Sequence, residues 1–135
     1  MQSPSFIGEY EKAMSEEMCD YLINMADQLI SHNPSQFMTD DPQYGGKRKD
    51  FTLNVGAHNP EAAREINNVI QSCLEEYTRE YIGINHSRRF MSWWQKLQVT
   101  PPMGGFHEWH NEHAHIETCD RVLTWMVYLN DLPEG

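Results

Sequence analysis

The fold class is set by residues 96–130, which read KLQVTPPMGGFHEWHNEHAHIETCDRVLTWMVYLN. Aromatic and branched residues over 90–99 predict one strand, and the run 106–112 predicts a second. A Pro- and Gly-rich turn over 100–105 separates them. The run 121–130 is the most apolar of the chain, which predicts a buried strand.

Two helices are predicted before these strands. Ser15 is a typical N-cap, and apolar residues follow it at helical spacing, which predicts a helix over 15–31. Asn59 and Pro60 are a typical helix start, and the apolar stripe behind them predicts a second helix over 60–80, ended by Gly83. Helices followed by strands predict an α+β fold in which the helices pack on one face of a sheet.

Shorter features complete the pattern. An apolar stretch predicts a short strand over 6–10, and alternating residues predict another over 51–55. Residues 33–46 are rich in Asn, Pro, Ser, Asp and Gly, which predicts a loop. The basic cluster Lys47–Lys49 has two interpretations, a solvated edge or a contact to an acidic substrate or partner.

Composition restricts the function classes. The chain has 135 residues and 15.8 kDa, which predicts a single domain, 1–135. Its net charge of -10 argues against nucleic acid and anionic membranes as partners, and no apolar run approaches the roughly 20 residues of a membrane span. Cys19, Cys73 and Cys119 form no close pair, which predicts ordinary buried or half-buried thiols. Without a visible export signal, we expect a cytoplasmic protein.

Four of the seven histidines lie within residues 107–115. On a strand His110 and Glu112 point to the same face, where an imidazole and a carboxylate can reach one metal ion. This pair is two thirds of the two-histidine, one-carboxylate triad of non-haem Fe(II) sites. His107, His113 and His115 have the opposite parity and join only if the strand breaks. The spacing alone also fits a pair that binds no metal.

The segment from residue 92 to 135 resembles the iron- and 2-oxoglutarate-dependent dioxygenases of the prolyl 4-hydroxylase type. The similar elements follow in the family's order, and they are Lys96–Thr100, Gly104–His107, Trp109–Glu112 and Arg121–Asp131, with Tyr-Leu-Asn-Asp closing the last. Arg48-Lys49-Asp50 and the preceding helix are similar to the family's support region.

The resemblance implies N-terminal helices packed on an incomplete double-stranded β-helix, or jelly roll. It implies that His110 and Glu112 bind Fe(II), that Tyr128 lies near the far carboxylate of 2-oxoglutarate, and that Thr100 is another cosubstrate contact. The expected cofactors are Fe(II) and 2-oxoglutarate, with ascorbate as a candidate reductant. The expected reaction is hydroxylation of an unactivated C–H bond in a prolyl residue or a small molecule.

The family's second histidine ligand and its 2-oxoglutarate-binding base lie beyond the Tyr-Leu-Asn strand, so we expect a fragment or a natural truncation. An open sheet edge then predicts a homodimer or strand-swapped assembly that covers the half barrel. Two alternatives stay open. One is a non-catalytic module in which His110 and Glu112, with His113 or His115, bind Zn(II) or Ni(II). The other is a half-domain that only self-assembles.

Overall fold

The structure is a computed structural model that describes residues 5–40, 48–85, 92, 94–106, 109–112 and 116–132. In chain order its elements are α1 (Glu16–His32), α2 (Pro34–Phe37), β1 (Met38–Asp40), β2 (Arg48–Asn54), α3 (Val55–His58), α4 (Pro60–Glu80), α5 (Ile82–Asn85), β3 (Lys96–Val99) and β4 (Gly105–Phe106), followed by a 3-10 turn (Ile116–Thr118). Helices with a small antiparallel sheet confirm the α+β class. Within the described ranges, no helix is both long and apolar enough to cross a membrane.

The two long helices begin where the sequence predicts. The Ser15 hydroxyl accepts a hydrogen bond from the Met18 N–H at 3.2 Å, which satisfies a donor that the first turn of α1 leaves without a partner. The Asn59 side-chain oxygen accepts from the N–H groups of Glu61 and Ala62 at 3.0 and 3.1 Å at the start of α4. Such caps stabilise a helix by about 1 kcal/mol. Both predicted helices are confirmed.

Strand β2 is the centre of the sheet. Phe51 pairs with Met38 of β1 on one side and with Val99 of β3 on the other. Lys49 likewise pairs with β1 and with Gly105 of β4. Strands β3 and β4 therefore both pair with the same edge of β2, one after the other. The intervening turn separates them. The predicted strand over 51–55 is confirmed, and it begins earlier, at Arg48.

Close backbone packing explains the glycines of that turn. The Gly104 N–H donates to the Pro101 carbonyl at 2.8 Å, and Met103 has a positive φ of 61°. A Cβ atom on Gly104 would lie 2.6 Å from the Lys49 carbonyl oxygen, a separation that real Cβ atoms do not tolerate. Gly105 has a φ of 115°, which favours glycine. The turn thereby holds β4 against β2.

The apolar core lies between the helices and one face of the sheet. Alternation along β2 directs Leu53 into this core, and Leu97 of β3 pairs with it. Burying one such leucine contributes about 2 kcal/mol. The buried apolar side chains are Met14, Leu22, Ala26, Phe37, Leu53, Val55, Ala62, Ala63, Ile66 and Leu97. Packing of the helices on one sheet face is as predicted.

The predicted strand over 6–10 is wrong. Phe6 has a φ of 54°, outside the extended region, and its carbonyl accepts a hydrogen bond from the Tyr77 hydroxyl at 2.8 Å. Its ring lies 5.3 Å from the ring of Tyr81, centroid to centroid. The N-terminal segment therefore packs on α4 through aromatic contacts instead of joining the sheet.

Two further boundaries differ from expectation. The predicted loop over 33–46 contains α2 and β1 up to residue 40, and residues 41–47 lie outside the described residues. Gly83 does not end α4, which stops at Glu80; Gly83 lies inside α5. Pairing with β2 gives residues 38–40 their strand conformation, and such pairing is invisible to local composition.

The predicted strands over 90–99 and 106–112 are much shorter in the structure. Among the described residues of this region, Lys96–Val99 and Gly105–Phe106 form strands, and both pair with β2. Residues 94–95 and 109–112 have no strand conformation, while 90, 91, 93, 107 and 108 lie outside the described residues.

The 121–130 segment has the alternation of a strand without the pairing of one. Trp125, Val127 and Leu129 pack against the core, whereas Val122, Met126 and Tyr128 are exposed. No part of it is assigned to a strand. The prediction of a buried strand is therefore wrong: the segment forms no strand, one face is only partly buried and the other is exposed.

The cysteines are free thiols. Cys19 and Cys73 are half-buried, and burial raises the pKa of both thiols, which makes them poor nucleophiles at neutral pH. Cys119 is exposed and its thiol lies 3.0 Å from the Ile116 carbonyl oxygen. The prediction of buried or half-buried thiols is thus wrong for Cys119.

Candidate metal centre

His110 and Glu112 lie close together. The His110 Nε2 atom is 3.5 Å from the Glu112 Oε1 atom, and about half of each side chain is exposed. The backbone around them is irregular, so the pair does not come together through the strand alternation that predicted it. Its accessible position leaves room for a ligand from solvent.

The spacing of this pair fits one bound cation. Metal bonds to imidazole nitrogen and carboxylate oxygen are about 2.1 Å long, so two such ligands on one ion lie about 3.0 to 3.4 Å apart at octahedral or tetrahedral angles. The observed 3.5 Å is within reach of that range after a small side-chain adjustment. An imidazole with a carboxylate is also a donor set that suits Fe(II).

Arg121 holds the other oxygen of the same carboxylate. Its Nη1 atom donates to Glu112 Oε2, so one carboxylate faces both an imidazole and a guanidinium. The two residues share a surface cavity of about 260 Å³, whose walls are Asn111, Glu112, Arg121, Val122, Leu123 and Thr124. A cation that binds at Glu112 therefore meets a carboxylate whose charge a positive side chain already partly neutralises.

A polar face of the sheet carries a buried carboxylate. Arg48, Asp50 and Thr52 alternate along β2 on the side away from the core. The Asp50 carboxylate accepts hydrogen bonds from Arg48 Nε at 2.9 Å, Arg48 Nη2 at 3.2 Å, Thr52 Oγ1 at 3.0 Å and Gln98 Nε2 at 2.7 Å. This network joins β2 to β3 and fixes the polar face.

Lys96 connects this face electrostatically with the candidate centre. Partial burial lowers the pKa of its ammonium, and the positive charge of Arg48 acts in the same direction. Asp50 and Glu112 oppose the shift, and Arg121 adds to it. Among the described residues, the charged groups that act on the pKa of Lys96 thus include both Arg48 and Asp50 of the polar face and Glu112 and Arg121 of the candidate centre.

The two predicted cosubstrate residues do not contact the centre. Thr100 is exposed directly after β3. Tyr128 is 85% exposed, and its hydroxyl lies 4.0 Å from the Met126 sulfur. Within the part of the chain that is described, the structure brings His110 to Glu112 and leaves Thr100 and Tyr128 without a contact to either.

The remaining predicted ligands cannot be placed. His107, His113 and His115 lie outside the described residues. Among the described residues, no group of three or more His, Cys, Asp or Glu side chains could hold a metal ion. Within the described residues, the candidate centre comprises His110 and Glu112.

Sequence reasoning missed the roles of Asp50, Gln98 and Lys96. The signal was present in part, because polar residues alternate with Phe51 and Leu53 along β2. It could not reveal the bond from Gln98 to Asp50, which joins positions 48 residues apart.

Comparison with known proteins adds no relative. No family model, no curated protein and no solved structure matches this chain.

Proposed function

We propose that this chain is part of a dioxygenase that uses Fe(II) and 2-oxoglutarate. The proposed reaction is hydroxylation of an unactivated C–H bond in a prolyl residue or a small molecule. The observation that carries the proposal is the 3.5 Å separation of His110 Nε2 and Glu112 Oε1 beside an open cavity. The order of the sequence elements supports the proposal, because it resembles the order in the prolyl 4-hydroxylase type. The same resemblance implies an incomplete jelly roll.

In this proposal His110 Nε2 and Glu112 Oε1 hold the metal. When bound, Fe(II) with 2-oxoglutarate would activate dioxygen, the oxidant, of which one oxygen atom would enter the C–H bond and the other would enter succinate as 2-oxoglutarate loses carbon dioxide. The chain's own residues bind and orient. Arg121 contacts the second oxygen of Glu112 and partly neutralises the carboxylate, so it competes with a bound cation for that charge. Such chemistry requires positioned protein ligands with open positions beside them, and this pair would supply two of the three ligands of the triad.

The polar face has a supporting role in the proposal. The Asp50 network holds β2 against β3. After β3 the chain continues through the turn and β4 to His110 and Glu112. Thr100 and Tyr128 are the proposed contacts of 2-oxoglutarate. Both are exposed, so a dicarboxylate from solvent can reach them without a rearrangement of the core.

Anaerobic addition of Fe(II) and 2-oxoglutarate tests the proposal. A chelate of the two on the protein gives a weak visible charge-transfer band, which depends on both ligands and is therefore expected to be absent in His110→Gln and Glu112→Gln. The control is His32→Gln, which removes an exposed imidazole at the end of α1 and should leave the band unchanged. A band that survives both ligand substitutions contradicts the proposal, whereas a band that appears only in a longer chain would favour the expected fragment.

The same experiment separates the non-catalytic alternative. A structural Zn(II) or Ni(II) site binds metal but gives no band that depends on 2-oxoglutarate. Metal binding without the band would favour that module over the oxygenase.

A further inference from the structure

The backbone of residues 122–130 presents a row of N–H and C=O groups that have no backbone partner among the described residues. The Arg121 N–H donates to the Thr118 carbonyl at 3.2 Å, but from Val122 to Leu132 no backbone group bonds to the backbone of another described residue. Backbone N–H and C=O groups are obligatory hydrogen-bonding groups, and an extended row of them is a template for a further strand.

The core holds this edge in place. Trp125, Val127 and Leu129 pack against the buried cluster, so the direction and the facing of the segment are already determined. The opposite face is apolar yet accessible, since Met126 is 72% and Tyr128 85% exposed. Because packing against the core already orders this segment, pairing with an incoming strand costs little further conformational entropy. This favours association.

We propose that residues 121–131 pair antiparallel with the same residues of a second copy of the chain. The two-fold axis passes between the two Met126 residues. Such an isologous contact uses one patch twice. Residues directly opposite each other in an antiparallel pair point to the same face. A two-fold axis can therefore relate the two strands only where a residue lies opposite its own mate, and the axis passes between these two copies. Core-facing residues then lie opposite core-facing ones, and the two segments form an antiparallel two-stranded ribbon.

Charge selects the register. Arg121 and Asp131 are the only charged residues of 121–131, and an axis at Met126 places each opposite the other at both ends of the contact. An axis at Trp125 or Val127 places Arg121 opposite an uncharged residue. The five donors of a guanidinium allow Arg121 to hold Glu112 of its own chain and an acid of the second copy.

Overall charge also favours this patch as the place of contact. Each copy carries -10, so two copies repel each other over most orientations. The 121–131 edge has one cation and one anion and is otherwise uncharged. On its exposed face Thr124 lies opposite Tyr128, and Met126 lies opposite its own mate, which are favourable cross-strand pairs.

Mass measurement tests the pairing. Sedimentation equilibrium of the full chain at micromolar concentration should give twice 15.8 kDa. Met126→Glu places two carboxylates opposite each other at the axis, which should weaken the dimer by at least about tenfold. Met126 is exposed in the single copy, so the fold should be retained, as far-UV circular dichroism would verify. The control is Met103→Glu, at a 93% exposed position of the β3–β4 turn, which should remain dimeric.

Disulfide formation tests the register. Met126→Cys places two thiols opposite each other, where the Cα atoms of a strand pair lie about 4.5 to 5.5 Å apart, within disulfide reach. Thr124→Cys, in the same background of native thiols, should not link to itself, because its mate lies about 13 Å away along the strand. A monomeric unmodified chain, an assembly larger than a dimer, a dimer unaffected by Met126→Glu, or equal cross-linking of the two cysteine variants would overturn the inference. None of these outcomes depends on metal binding.

Discussion

Replacement of Asp50 by asparagine should lower the free energy of unfolding by about 3 kcal/mol. The Asp50 side chain is fully buried and accepts four hydrogen bonds, from Arg48, Thr52 and Gln98. Asparagine keeps the shape but loses the charge, and it turns an NH₂ group toward donors. Breaking a buried ion pair from one side costs about 3 to 5 kcal/mol, and the lower end applies because Arg48 is 22% exposed and can regain water.

The assay is urea unfolding followed by tryptophan fluorescence, with thermal unfolding beside it. For a chain of 135 residues a loss of 3 kcal/mol corresponds to a decrease in Tm of about 10 °C. The control is Asp27→Asn on the exposed side of α1, for which we expect a change within about 0.5 kcal/mol.

A double substitution separates the charge from the shape of the site. Arg48→Met combined with Asp50→Leu removes both ions, and apolar replacements of a buried ion pair are often neutral. The pair should therefore be less destabilised than Asp50→Asn alone. If Asp50→Asn unfolds at the same urea concentration as the unmodified chain, the buried network does not hold β2 to β3.

Three further predictions follow from individual contacts. Gly104→Ala should destabilise the fold by about 1 to 3 kcal/mol in urea unfolding, since its Cβ would lie 2.6 Å from the Lys49 carbonyl oxygen; an unchanged midpoint would contradict this. Lys96→Met should be more stable than the unmodified chain at neutral pH, because burial lowers the pKa of Lys96 and charging it there costs stability. That difference should shrink as the pH rises through the lowered pKa toward 10.5, and a constant difference would refute the cause. Arg121→Gln should tighten Co(II) binding about two- to fivefold in calorimetric titration, because the guanidinium competes for Glu112, whereas exposed Lys49→Gln should not change it; weaker binding would speak against competition.

Local signals predicted the helices well and the strands poorly, for a physical reason. A helix start depends on neighbours within a turn, so Ser15 and Asn59 were sufficient to place α1 and α4. A strand depends on a partner distant in sequence. Residues 109–112 are irregular in the structure, although their pattern favours a strand.

The candidate site could be predicted only where its residues are neighbours in sequence. His110 and Glu112 were selected by their spacing, and the structure places them 3.5 Å apart, although through an irregular backbone. Their metal binding stays a prediction. The Asp50 network depends on Gln98, and no periodicity within β2 indicates which distant side chain completes it.

Calorimetric titration with Co(II) tests the central claim most directly, because the claim is that His110 and Glu112 bind one divalent cation together. The unmodified chain should bind one Co(II), and His110→Gln and Glu112→Gln should each weaken binding by at least about tenfold. The His32→Gln control should bind as the unmodified chain does. Equal binding by all four proteins, or no binding by the unmodified chain, would contradict a metal centre at this pair.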